Sequence, residues 1–172
     1  LFIIASGLGL DATSVVAVIG SAGVAIGLAL QGSLANFAGG ILILLLKPFK
    51  VGDYIKEDSN GNEGNVTEIQ MFYTKLLTFD GRTIILPNGT LANTSLVNYT
   101  TAQFRRLDVN VGISYHADVH KARKALYDFV KGHSLVMQDK DVVVSVEELA
   151  DSAVTLCVKC YVRTEDYWNL RA

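Results

Sequence analysis

The chain changes character at Lys47. From Ala12 to Leu46 no Asp, Glu, Lys, Arg or His interrupts a run of small and apolar residues. After Lys47, charged, polar and apolar positions mix as they do in an ordinary water-exposed domain. An apolar stretch longer than about 18 residues is long enough to be a transmembrane helix. The competing reading is the buried central helix of a soluble protein. Within the run, "VIGSAGVAIGLALQGSLANFAGG" carries glycine at Gly20, Gly23, Gly27, Gly32, Gly39 and Gly40. Each glycine weakens a helix in water by about 1 kcal/mol relative to alanine. So many in one helix require another reason.

The pattern predicts a helix from about Ser14 to Leu30, capped by Asp11, Thr13 or Ser14. At 1.5 Å per residue it covers most of a hydrocarbon core about 30 Å thick. "QGS" at 31–33 predicts a break. "LANFAGGILILLLKPF" then predicts a second helical piece, suited to lying at the membrane interface. Pro48 ends it. Lys47 and Lys50 put this end on the cytoplasmic side by the positive-inside tendency. Leu1 to Gly9 reads as the end of an earlier apolar segment. With "YWNLRA" closing the sequence, the chain reads as a portion of a longer protein.

In lipid, helices associate through close packing of small residues instead of through a hydrophobic driving force. Ala17, Ser21 and Ala25 recur every four residues. Gly20, Gly23 and Gly27 offer a flat surface alongside. The two sets suggest two small-residue faces, one for each neighbour in a ring. Val24 and Leu28 are four apart and stack on one face. In a ring they would form two apolar collars, and a narrow apolar pore blocks ions by expelling water. Equally, the two residues can face lipid or another helix.

From Val51 to Tyr99 the period becomes that of strands, with β-branched runs broken by Gly, Asn and Asp. "DG" at 80–81 predicts a hairpin between "TKLLTF" and "RTIILP". "PNG" at 87–89 predicts a turn. Beyond Phe104, "RRLDVNVGIS" alternates as a strand. "ADVHKARKALYDFVKGH" is an amphipathic helix with Val119, Ala122, Leu126, Phe129 and Val130 on one stripe, Asp118 as cap and Gly132 as stop. "VVVSVEEL" and "AVTLCVKCYV" are two more strands, and "TEDYWNLRA" opens a helix. The boundaries that follow are 1–10, the end of a preceding helix and a loop; 11–49, the long helix and its interfacial continuation; 50–99, a β domain; and 100–172, an α/β domain.

Composition adds exclusions. The chain has 172 residues, half of them hydrophobic, and a net charge of −2. That charge gives no electrostatic case for nucleic acid. The N-terminus has no basic region or cleavage pattern of a signal peptide. Cys157 and Cys160 lie three apart in a strand pattern, so they face opposite sides and read as buried structural thiols. His116, Asp118 and His120 lack a third metal ligand, and capping by Asp118 explains the stretch. No metal, cofactor or catalytic constellation is expected.

"SAGVAIGLALQGSLANFAGGILILLLKPFKVGDYI" resembles the pore helix and β-domain entry of the small-conductance mechanosensitive channels of bacteria, the MscS family. The resemblance continues through "GNVTEIQMFYTKLLTFDGRTIILPNG" and, more loosely, "FRRLDVNVGISYHADVHKARKAL". It implies a membrane protein of α plus β class: a kinked pore-lining helix, a small all-β Sm-like domain, and an α+β cytoplasmic domain. It also implies a homoheptamer in the inner membrane that contacts lipids, opens under tension, and passes ions and small osmolytes during hypoosmotic shock. By resemblance, the pore constriction falls on Val24 and Leu28. The packing positions fall on Ala17, Gly20, Ser21, Gly23, Ala25 and Gly27. The kink falls on Gly32, a second hinge on Gly40, and contacts to outer helices on Leu30 and Leu34. Two departures stand out. Val24 replaces a commoner leucine, and Ser21 replaces a commoner alanine, with a hydroxyl able to bond the carbonyl four residues back. The alternative is a membrane-anchored oligomeric scaffold or binding module, using Lys75, Arg82, Arg105 and Arg106.

Overall fold

The computed structural model describes residues 12–171. The chain divides into two compact units, Leu1–Asn98 and Tyr99–Ala172.

The first unit opens with α1, Ala12–Leu46, a single uninterrupted helix of 35 residues. The expected break at 31–33 is not a break: helical structure runs through Gln31, Gly32 and Ser33. A charge-free sequence with no proline until Pro48 contains nothing that forces one. The helix is therefore about 52 Å long. Thr13 and Ser14 lie inside it and not at its cap, and Asp11 falls outside the described residues. Its end is at Lys47, whose φ of 50° leaves the helix in the left-handed region, with Pro48 following.

Strands β1 (Tyr54–Glu57), β2 (Glu63–Ile69), β3 (Tyr73–Leu77), β4 (Thr83–Pro87) and β5 (Leu96–Asn98) form an antiparallel sheet in the order β4-β3-β2-β1-β5. The predicted hairpin is present. Thr78 N–H donates to Arg82 O at 2.9 Å, and Gly81 takes the positive φ of 81° that the turn needs. "PNG" is not a turn. Asn88–Asn93 is a short helix, α2, with Pro87 at its N-cap position. The core joins Ile55, Val66, Leu76, Leu86 and Leu91 to Ile43 and Phe49. One end of α1 thus belongs to the β domain's interior.

In the second unit, β6 (Phe104–Ile113), β7 (Val143–Leu149) and β8 (Val154–Arg163) pair antiparallel in the order β6-β8-β7. Helix α3 (Val119–Lys131) lies against this sheet through Leu126 and Val130. Asp118 caps it: its carboxylate accepts from the N–H groups of His120 at 2.9 Å and Lys121 at 3.1 Å. Phe129, expected on the buried stripe, is 74% exposed because it sits at the stripe's margin. A 3-10 turn, Thr164–Asp166, leads to α4, Tyr167–Arg171. Here Arg105 stacks on aromatic rings, with its guanidinium carbon 3.5 Å from the Tyr167 centroid and 4.8 Å from that of Tyr99. Cys157 and Cys160 are buried free thiols whose side chains alternate across β8. Burial pushes both thiols up from their ordinary pKa, which keeps them protonated and unreactive.

Candidate functional site

Helix α1 has two parts with different surroundings. From Thr13 to Ala35 every position but Val15 is exposed within the chain. Val24 is 65% exposed, Leu28 67%, Leu30 56% and Leu34 65%. This overturns the reading of a buried central helix, which would hide such residues. Water does not tolerate an apolar rod of this length, whereas hydrocarbon does.

The angular order around α1 follows from its continuity. At about 100° per residue, with Val24 at zero, Leu28 stands at roughly 40°. Ala17, Ser21 and Ala25 fall between roughly 20° and 100°, and Gly20, Gly23 and Gly27 between roughly 260° and 320°. Val24 therefore sits between two faces of small residues, and Leu28, one turn on, stands beside it within the arc of the Ala/Ser face. Leu30 and Leu34, at roughly 240° and 280°, continue the glycine side one to three turns on. Ser21 Oγ donates to Val18 O at 2.9 Å, three residues back and not the four expected. The hydroxyl is thereby satisfied within its own helix, as the membrane interior demands.

The glycines fall into two classes. Among the described residues, nothing lies within 4 Å of where a Cβ would stand on Gly20, Gly23, Gly27 or Gly32. On Gly39, a Cβ would stand 2.6 Å from Asn88 O and 2.8 Å from Gly89 N. On Gly40 it would strike Met71 O and stand 2.8 Å from Asn88 Nδ2. Gly39 and Gly40 are buried contact surfaces where the helix meets α2 and the β2–β3 turn.

Asn88 organises that junction. It is fully buried. Its Oδ1 accepts from Thr74 Oγ1 at 2.8 Å, and its Nδ2 donates to Gln70 O at 2.8 Å and Met71 O at 3.2 Å. Its backbone N–H donates to Phe72 O at 2.9 Å. Gly89 next to it donates its N–H to Asn36 Oδ1 at 3.0 Å. The Phe37 and Phe72 rings stand 6.1 Å apart beside it. The sequence pattern assigns Asn36 no role and predicts a turn at "PNG". The available signal was an amide in a charge-free helix, which must find a partner.

Other candidates are already engaged. Lys75 pairs with Glu68 at 2.8 Å, Arg82 with Asp80 at 2.7 Å, and Arg106 with Asp108 at 2.7 Å. With Arg105 stacked on rings, the basic residues considered for a binding module do not form a free cationic face.

Among the described residues, one long, exposed, apolar helix whose end is built into a β domain fits the class of integral membrane proteins. Its comparisons narrow the class. The model described as "Mechanosensitive ion channel, beta-domain" matches residues 32–101, and "Mechanosensitive ion channel MscS, C-terminal" matches 107–172. An uncharacterized MscS family protein of Buchnera aphidicola subsp. Baizongia pistaciae is 41% identical over 95% of this chain and 59% of its own length. The small-conductance mechanosensitive channel of Edwardsiella ictaluri is 40% identical over 87% of this chain and 52% of its own. The closed-state crystal structure of Helicobacter pylori MscS superposes with a TM-score of 0.90 at 31% identity, covering 99% of this chain and 67% of that one. The chain belongs to the MscS family of mechanosensitive ion channels. This is a family of membrane channels and not of enzymes. The chain spans less than two thirds of the length of these curated relatives.

Proposed function

We propose that the protein is the subunit of a homoheptameric channel opened by membrane tension. In this reading it lies in the bacterial inner membrane with its β and α/β domains in the cytoplasm, and passes ions and small osmolytes during hypoosmotic shock. The observation that carries the reading is the order of side chains around α1: Val24 between two faces of small residues and Leu28 one turn below it, all exposed within the chain. A ring of identical helices needs this order, with a branched residue toward the axis and a small surface toward each neighbour. Ala17, Ser21 and Ala25 of one copy meet Gly20, Gly23 and Gly27 of the next. Among the described residues no contact requires those glycines, and a neighbouring copy would supply the reason for them.

The closed state is held by dewetting at two apolar collars. Tension multiplied by the gain in in-plane area favours the open state. Small-residue faces let the helices slide between the two arrangements without opening large voids. Leu30 and Leu34, on the glycine side, reach the outer helices or lipid where neighbouring copies of α1 splay apart below Gly27. Gly32, with open space around it, bends without loss of contact. A hinge at Gly40 would have to separate it from Met71, so bending there loosens the junction with the β domain.

The test is patch recording of the full-length protein in liposomes of defined lipid. Suction-dependent unitary currents support the reading. Correct oligomers that stay electrically silent up to the lytic tension would favour the scaffold alternative.

A further inference from the structure

We propose that the groove between α3 and β7 is a binding site for a small phosphorylated anion. It is an open groove of about 420 Å³, lined by His120, Arg123, Lys124 and Tyr127 on one side and Val142, Val143 and Val144 on the other. The helical residues stand at i, i+3, i+4 and i+7, so they share one face of α3. Among the described residues, no carboxylate lines the groove. Neither Arg123 nor Lys124 takes part in a described salt bridge, in contrast to Lys75, Arg82 and Arg106.

The guanidinium is held in place. Arg123 Nε donates to Val144 O at 3.0 Å. That bond uses one of its five N–H donors and leaves the terminal nitrogens for a ligand. Strand β7 is an edge of its sheet. In an extended strand the N–H and C=O of one residue project to the same side, so the Val144 N–H lies on the side of the strand where Arg123 meets the carbonyl. Lys124 and His120 add nitrogen donors, and Tyr127 adds a hydroxyl. Asp128, four residues on from Lys124, stands about 40° from it at the margin of this face, and does not line the groove.

Donors spread over an arc suit a phosphate better than a planar carboxylate. A phosphomonoester carries close to two charges and three strongly accepting oxygens. Clustered Arg and Lys are the usual answer to that chemistry. The buried Val142 and Val144 and the Tyr127 ring give the rest of such a ligand an apolar surface. The groove lies within the second unit and does not depend on the channel reading.

The experiment is calorimetric titration of the full-length protein in nanodiscs of zwitterionic lipid, at fixed ionic strength in chloride. Inorganic phosphate and adenosine monophosphate are the probes. Saturable binding at one site per subunit is expected, weakened about tenfold or more by Lys124→Gln and further by His120→Gln with Lys124→Gln. All these positions are exposed, so the variants fold. Equal affinity for the two probes identifies the free anion as ligand; tighter nucleotide binding identifies the apolar surface as part of the site. Binding no stronger than chloride competition allows, or binding unchanged in the double variant, overturns the proposal. The variant Arg123→Lys keeps the charge but loses the fork, and retention of full affinity there also counts against it.

Discussion

Asn36 and Gly89, 53 residues apart in sequence, are joined by a 3.0 Å hydrogen bond from the Gly89 N–H to the Asn36 side-chain oxygen. It is a direct polar link between the membrane helix and the β domain. Asn36→Ala removes the acceptor and leaves the buried Gly89 N–H without it. A loss of about 1 kcal/mol is expected, seen as a lower melting temperature of the purified protein. Asn88→Ala should be worse, because it strips a fully buried Thr74 hydroxyl and two backbone carbonyls of their partner. About 2–3 kcal/mol is the expected scale. Equal stability of both variants and the parent would show that the junction is not held by these bonds.

The two classes of glycine predict opposite outcomes for the same substitution. Gly40→Ala forces a methyl group into the Met71 carbonyl and should destabilise by about 1–3 kcal/mol, as overpacking does. Gly32→Ala meets open space within the chain and gains about 1 kcal/mol of helix propensity. Thermal denaturation of the two variants in one detergent decides the matter. If Gly40→Ala is as stable as the parent, Gly40 serves flexibility and not close packing.

Much of this was legible in sequence because the signals were local. A charge-free run marks a membrane helix, "DG" marks a hairpin, and Asp118 before an amphipathic stretch marks a cap. The junction was not legible, because its parts are brought together only by tertiary structure. Asn36, Gly39 and Gly40 lie on α1, Met71 and Phe72 on the β2–β3 turn, and Asn88 and Gly89 on α2. "PNG" looks like a turn because Pro and Asn-Gly favour turns. Here Pro87 precedes a helix, and Asn88 is bound by the β2–β3 turn and by Thr74 on β3. The break at Gln31–Ser33 failed for a related reason: polar and glycine residues lower helix propensity, yet each costs only about 1 kcal/mol or less within a long helix.

Glu57 gives the β domain a pH signature. Its side chain is buried in the β1–β2 turn. Burial raises its pKa, but donation from Asn62 Nδ2 at 2.8 Å and from the backbone of Asn60 and Ser59 outweighs this and holds the carboxyl below its ordinary 4.5. A carboxyl depressed in the folded state binds its proton more readily when unfolded. Its contribution is therefore complete above 4.5 and is lost as pH falls through that value toward the folded pKa. Glu57→Gln should be less stable at pH 7, with the difference shrinking on acidification. Parallel stability curves for the two proteins between pH 7 and pH 3 would exclude Glu57 as a source of acid sensitivity.

The gate assignment makes the sharpest functional prediction, because two substitutions on one helix should act in opposite directions. On the proposed arrangement Leu28→Ser would place a hydroxyl at the lower collar, wet a constriction closed by dewetting, and lower the tension for opening. Gly27→Val puts a branched side chain onto the face meant for the neighbouring helix, hinders sliding, and should raise that tension. Both residues are exposed within the chain, Leu28 at 67%, and neither substitution meets a described neighbour. A change in threshold therefore cannot be traced to the subunit's own fold, which melting temperature checks independently. Val24→Leu should strengthen the upper collar and raise the threshold modestly, since a longer side chain narrows the apolar ring. Thresholds for all three variants are read in patches as the ratio to a co-expressed reference channel. If Leu28→Ser and Gly27→Val shift that ratio the same way, or not at all in correctly assembled protein, α1 does not present Val24 and Leu28 to the pore.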